Sequence, residues 1–139
     1  MGKARRNVRY LTCQEIIDVN REIISQTGGF IALAGEVRNP NSLSYLIEIV
    51  QTKFAGEELY PSLEQKAAVY AFNIITRSVF HDGNKRTGIA CAFLFLRLNG
   101  CILSESIPEE EIVELALQIA NREGNIAGVA SWILKWLEK

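Results

Sequence analysis

The chain has 139 residues, 48% of them hydrophobic and 22% charged, with a formal net charge of −1. That length suits one domain over 1–139 with a real core, and the balanced charge excludes a global field for nucleic acid or acidic membranes. Cys13, Cys91 and Cys101 are odd in number and lack metal-type spacing, which argues against a disulfide framework or zinc site and for a reducing, cytoplasmic setting.

Lys3, Arg5, Arg6 and Arg9 form the one basic cluster, and 1–9 reads as a flexible, solvated N-terminus in preference to a nucleic-acid arm. No apolar core follows those charges, so there is no signal peptide. No apolar run approaches the roughly 20 residues that span a bilayer. Residues 8–11 read as a short extended segment. Thr12-Cys13-Gln14-Glu15 then has the form of a capping box, with Thr12 as N-cap and Glu15 reaching back. Ile16, Ile17, Val19, Ile23 and Ile24 follow at helical spacing up to Gly28-Gly29, which predicts a first helix over 13–27.

The stretch 30–41 is punctuated by Gly35 and Pro40 and has no helical pattern. It reads either as a connector or as a small hairpin at 30–38 that holds a substrate segment, because loops of this length tend to be functional. Asn41 or Ser42 is the expected cap of a second helix with Leu43, Leu46, Ile47 and Val50 on one face. A third helix begins near Pro61, a favoured first-turn residue, and runs into Thr76-Arg77-Ser78-Val79-Phe80.

The central helix is expected over 84–99. Its segment from Gly88 to Leu96 holds no polar side chain, and Gly100 closes it, which is how a buried helix looks in sequence. Ser106 or Ile107 with Pro108 opens a fifth helix, Glu109, Glu110 and Glu111 suit its first turn, and Gly124 ends it. A sixth runs over 125–137 with Val129, Trp132, Ile133 and Trp136 facing the core. The expected fold is all-α, with about six helices around the one at 84–99.

Lys85 and Arg86 stand in the first turn of that central helix, where the helix dipole disfavours cations by about 0.3–1 kcal/mol each. An anion sharing the site would offset the repulsion. Free backbone N–H groups, a flexible Gly83 and two cations together suggest a phosphate cradle. The plainer reading is that Asp82 or Asn84 caps the helix and both cations reach solvent. The apolar run that follows favours the cradle, since charges at the head of a buried helix line a cleft. The motif is not a Walker P-loop, because Gly83-Asn84-Lys85 lacks the Gly-Lys pair and the upstream Gly.

Phe80-His81-Asp82-Gly83-Asn84-Lys85-Arg86-Thr87 resembles the motif of the Fic/Doc superfamily, specifically its death-on-curing (Doc) branch, His-x-Phe-x-Asp-(Gly/Ala)-Asn-Lys-Arg-Thr. Weaker likeness extends to 10–12, 28–30, 39–40 and 93–100. The branch's histidine, its general base, falls at Ser78. A serine hydroxyl does not take up a proton near neutral pH, and loss of such a base costs about 10²–10⁴-fold in rate. The resemblance therefore implies an impaired enzyme. The single histidine, His81, would share a face with Ser78 only if 78–81 were helical, and the family pattern has a variable residue there.

The resemblance implies a toxin of a toxin–antitoxin module that moves a phosphoryl group from ATP to a protein Ser or Thr hydroxyl, with elongation factor Tu the branch's kind of target. In that scheme Ser78, Asp82, Lys85 and Arg86 occupy the catalytic positions, and Asp82 helps hold Mg²⁺. Gly83, Asn84, Lys85, Arg86 and Thr87 bind nucleotide, with Thr87 alternatively a cap. Fic-type AMP transfer is the alternative chemistry, but its Gly-Asn-Gly-Arg-x-x-Arg pattern is broken by Lys85 and Ile89. A catalytically silent binding module that keeps the groove is a further alternative. Glu123-Gly124 is the sole Glu-Gly pair and Ile119 precedes it where an inhibitory helix needs Ser or Thr. Control by a separate antitoxin, its C-terminal segment in the groove, is the implied arrangement.

Overall fold

In a computed structural model of the chain, residues 7–27 and 31–138 are described. Six helices carry the fold: α1 (Cys13–Thr27), α2 (Pro40–Ile49), α3 (Leu63–Thr76), α4 (Asn84–Leu98), α5 (Glu109–Ala120) and α6 (Ile126–Trp136). The all-α expectation holds. The one strand pair among the described residues, β1 (Lys53–Phe54) with β2 (Glu57–Glu58), is antiparallel, with Lys53 opposite Glu58.

Local chemistry sets most helix ends. Glu15 N–H donates to Thr12 Oγ1 (3.1 Å) and Thr12 N–H to Glu15 Oε1 (2.9 Å), the reciprocal box expected at the head of α1. The same device opens α3, where Ser62 and Gln65 exchange bonds. Two boundaries differ from expectation. α2 starts at Pro40 and not after Asn41 or Ser42, because proline is preorganised for the first helical position. α5 ends at Ala120, well before Gly124; Arg122 takes a left-handed φ of 57° and Glu123 N–H closes back on the Gln118 carbonyl at 2.9 Å.

Of the two readings of 30–41 the connector fits: no hairpin forms at 31–38 among the described residues. Ile31–Leu33 is a 3-10 turn, and Val37 pairs instead with Phe80 in an isolated antiparallel bridge. Phe30, Gly28 and Gly29 lie outside the described residues, as do 1–6 of the expected flexible N-terminus. Arg9 is held in place: its N–H donates to Asn99 Oδ1 (2.9 Å), its carbonyl accepts from Asn99 Nδ2 (3.0 Å), and its guanidinium meets Glu15 at 2.6 Å. The Arg9 guanidinium and the Thr12 N–H stabilise the Glu15 carboxylate and hold its pKa at about 2.

α3 and α4 form the central helical hairpin, and α3 packs in turn against α2, α5 and α6. Tyr70 of α3 is fully buried, its ring 5.1 Å from that of Phe95 on α4, and its hydroxyl accepts the Leu11 N–H at 3.0 Å. Cys91 is buried on the same helix pair, and burial pushes its thiol pKa up. Gly88 lets the two helices approach: a Cβ there would sit 2.7 Å from Ile75 Cγ1 and 3.1 Å from the Ala71 carbonyl. α4 is not covered all round. Ile89, Ala92 and Phe95 are buried, whereas Ala90, Phe93 and Leu94 are half-buried along an open side. Among the described residues no helix is long and apolar enough to cross a membrane.

Candidate functional site

The residues singled out from sequence lie where α3 turns into α4. Ser78 adopts φ 47°, a left-handed conformation that favours glycine or asparagine just past a helix end. Val79 N–H returns to the Ile74 carbonyl at 3.4 Å to close the turn. The Ser78 hydroxyl has no hydrogen-bond partner among the described residues. The segment 79–82 is not helical, so Ser78 and His81 do not share a helical face. His81 stands across the Val37–Phe80 bridge from Glu36, with Nε2 3.9 Å from Glu36 Oε1.

Three asparagines grip this loop by its backbone. Asn39 Nδ2 donates to the carbonyls of Arg77 (3.0 Å) and Ser78 (2.9 Å). The Val79 carbonyl accepts the N–H groups of Arg38 (2.7 Å) and Asn39 (3.1 Å). Asn84 folds back on Phe80: Oδ1 accepts the Phe80 N–H at 2.9 Å and Nδ2 donates to the Phe80 carbonyl at 2.8 Å. Asn20 Nδ2 donates to the Asp82 carbonyl at 2.9 Å. The carbonyls of 77–80 and 82 are thus all engaged by protein donors. Phe80 itself is fully buried and wedges the loop against the core.

With its carbonyls tied inward, the loop leaves donors facing out. The N-cap of α4 is Gly83, at φ 76°, which has no side chain to offer. The two good capping side chains beside it are used elsewhere: Asp82 Oδ1 accepts the Gly83 N–H at 2.8 Å, and Asn84 is spent on Phe80. Thr87 N–H bonds the Gly83 carbonyl at 2.9 Å. The preceding amides of Asn84, Lys85 and Arg86 have no partner among the described residues, which is the open first turn that binds anions in many proteins. Gly83 suits that place by its left-handed φ, and a Cβ there would press on Ile24 Cδ1 at 2.9 Å.

Lys85 and Arg86 are exposed, and neither makes an ion pair among the described residues. Both line one end of a groove of about 490 Å³ that runs between α1, α4 and α5. Ile23, Ile89, Phe93, Ile112 and Val113 make its walls apolar, and Glu109 stands on its rim. A second hollow of about 360 Å³ shares Ile23 and Ala90 with it and is edged by Glu15, Asp18 and Glu22 of α1.

Other positions depart from their sequence reading. Thr87 is fully buried and its Oγ1 accepts from Asn20 Nδ2 at 3.0 Å, so its hydroxyl faces protein. The Asn84 side chain builds the loop, which leaves its backbone N–H for an anion. Asp82 is half-buried, with Oδ2 free of hydrogen bonds among the described residues. Mg²⁺ commonly takes one or two carboxylates plus phosphate oxygens and water, so this open carboxylate beside the unpaired amides has the chemistry to fit that ion. Asn20 and Asn39 were missed from sequence. Asn20 carried a signal: it falls four residues after Ile16 and four before Ile24, on the buried edge of α1, where an amide needs partners.

The Fic/DOC family profile matches residues 10–96, from the extended segment before α1 to near the end of α4. A protein named Toxin Doc, from Mycolicibacterium smegmatis, is 32% identical over 107 residues, covering 76% of this chain and 82% of its own length. A protein named Protein kinase doc, from Escherichia phage P1, is 30% identical over 123 residues, covering 88% of this chain and 91% of its own.

Proposed function

Since this chain belongs to the Fic/DOC family, we propose that it is a Doc-like toxin of a toxin–antitoxin module. Its site is built to transfer the terminal phosphoryl group of ATP to a Ser or Thr hydroxyl of a target protein of the elongation factor Tu kind. The observation that carries this reading is the unpaired first turn of α4, with three open amides and two unpaired cations at the mouth of a groove. Each cation would be mildly unfavourable there alone; a polyphosphate reverses the sign.

In this reading the amides of Asn84, Lys85 and Arg86 hold the phosphate oxygens. The Lys85 and Arg86 side chains offset the charge that spreads over the transferring group. Asp82 would hold Mg²⁺ through its open oxygen, and the ion supplies charge neutralisation between phosphates. Ser78 stands where the family's base belongs and provides none, so the chain is catalytically impaired. AMP transfer is less well supported: Ile89, where that chemistry uses an arginine, is a buried apolar residue. The groove between α1, α4 and α5 is the seat we assign to an antitoxin's C-terminal segment.

Incubation with γ-labelled ATP and elongation factor Tu, for the native chain and Ser78→His, tests the assignment. The expected result is labelling by Ser78→His at least about 10²-fold faster than by the native chain. Label from α-labelled ATP would mean AMP transfer. A silent binding module is the second reading, favoured by the partnerless Ser78 hydroxyl. It predicts nucleotide and partner binding with no transfer by either protein.

A further inference from the structure

We infer that Asn20 is a positioning residue for the nucleotide site: its carboxamide sets where the Asp82 carboxylate and the open amides of α4 face, without touching a ligand. The inference rests on the nucleotide reading above and extends it to a residue on a different helix. Asn20 is fully buried in the edge of α1 that also holds Ile16 and Ile24. Oδ1 accepts the Gly35 N–H at 2.8 Å, and Nδ2 donates to the Asp82 carbonyl at 2.9 Å and to Thr87 Oγ1 at 3.0 Å. The amide orientation follows from its partners, since the Gly35 N–H can only donate and the Asp82 carbonyl can only accept.

These bonds fall on both sides of the α4 first turn. Asp82 precedes the open amides of Asn84, Lys85 and Arg86, and Thr87 follows them, so one carboxamide grips the turn before and after its anion-facing part. Holding the Asp82 carbonyl fixes the peptide that carries the Gly83 N–H. That N–H in turn holds Asp82 Oδ1 at 2.8 Å, which leaves Oδ2 as the free oxygen. The third bond ties in Gly35, at the foot of the segment whose Val37 pairs with Phe80. A packing role alone would be met by leucine; what leucine cannot do is accept from Gly35 while donating to two acceptors.

The test is Mg²⁺ dependence. ATP binding is measured by calorimetry across a Mg²⁺ series for the native chain, Asn20→Leu and Thr87→Val. Backbone amide exchange is followed at Gly35 and Thr87. Residues that orient a metal-holding carboxylate change metal affinity by about 10–100-fold when removed, so Asn20→Leu is expected to raise the half-saturating Mg²⁺ concentration by about that factor. Thr87→Val, which removes one bond of the three, should give a smaller rise. A merely structural role would lower the melting temperature of Asn20→Leu and leave the Mg²⁺ midpoint of the folded protein where it was, and that outcome overturns the inference. If Asn20→Leu does not fold, an unchanged midpoint in Thr87→Val overturns it instead. A native chain that binds no ATP sinks the nucleotide reading on its own. The inference falls with that reading, and exchange then reports the backbone bonds alone: faster exchange at Gly35 in Asn20→Leu shows that they hold the loop, and unchanged exchange shows that they do not.

Discussion

The α3–α4 and α5–α6 connections both leave their first helix through a left-handed residue other than glycine, Ser78 at φ 47° and Arg122 at φ 57°. Each is closed by a bond back to the last turn, from Val79 to Ile74 (3.4 Å) and from Glu123 to Gln118 (2.9 Å). They part where the second helix begins. α6 caps itself: Asn125 Oδ1 accepts the Gly128 N–H at 2.8 Å. α4 has a glycine, Gly83, as its N-cap, and the polar side chains on either side of it are committed to the loop. The first arrangement finishes a helix. The second leaves one unfinished, with cations beside the open end and three asparagines holding the loop before it, and open amides at a helix head are what an anion would need.

Breaking the open turn itself should have the largest effect. Gly83→Ala would place a Cβ 2.9 Å from Ile24 Cδ1 at a φ of 76°. Strain of that kind costs about 1–3 kcal/mol, visible as a lower denaturant midpoint, and ATP binding should weaken with it. Next comes the paired comparison of the two asparagines. Asn84→Ala strands the Phe80 N–H and carbonyl, a loss of about 1–3 kcal/mol, and should weaken ATP binding. Asn125→Ala removes an ordinary cap, about 1 kcal/mol, and should leave ATP affinity unchanged in the same titration.

The cations sharpen the contrast further because their two effects have opposite signs. Lys85→Ala or Arg86→Ala should weaken ATP binding while raising stability by about 0.3–1 kcal/mol each, since a positive charge at a helix head is unfavourable without an anion. Thermal melts with and without ATP would separate the two. Smallest is Ser78→Gly: the strain relieved at a left-handed residue other than glycine is largely offset by the extra backbone freedom that glycine loses on folding, so chemical denaturation should show only a slight rise in stability.

What the sequence made legible follows the range of the interaction. The α1 capping box depends on four consecutive residues, 12–15, and was readable from them. The motif 80–87 was readable because its residues are contiguous, and the resemblance they carry agrees with the family match over 10–96. The segment 30–38 stays open in sequence between a connector and a hairpin because its partner is Phe80, not a neighbour in sequence. The β1–β2 hairpin was overlooked because its tight turn, Ala55 at φ 53° and Gly56 at φ 84°, is signalled by a single glycine. Asn20 and Asn39 act across 62 and 38 residues respectively, and Thr87 is buried by the first of them. Periodicity places such residues on a face without naming their partners.

The most direct measurement is a titration of Mg²⁺–ATP into the ¹⁵N-labelled native chain, following backbone amide signals by NMR. The largest shifts are expected at Asn84, Lys85 and Arg86, with Asn125 to Gly128 at the head of α6 unmoved. Shifts centred anywhere else, or no saturable shift at the head of α4, would contradict the nucleotide reading.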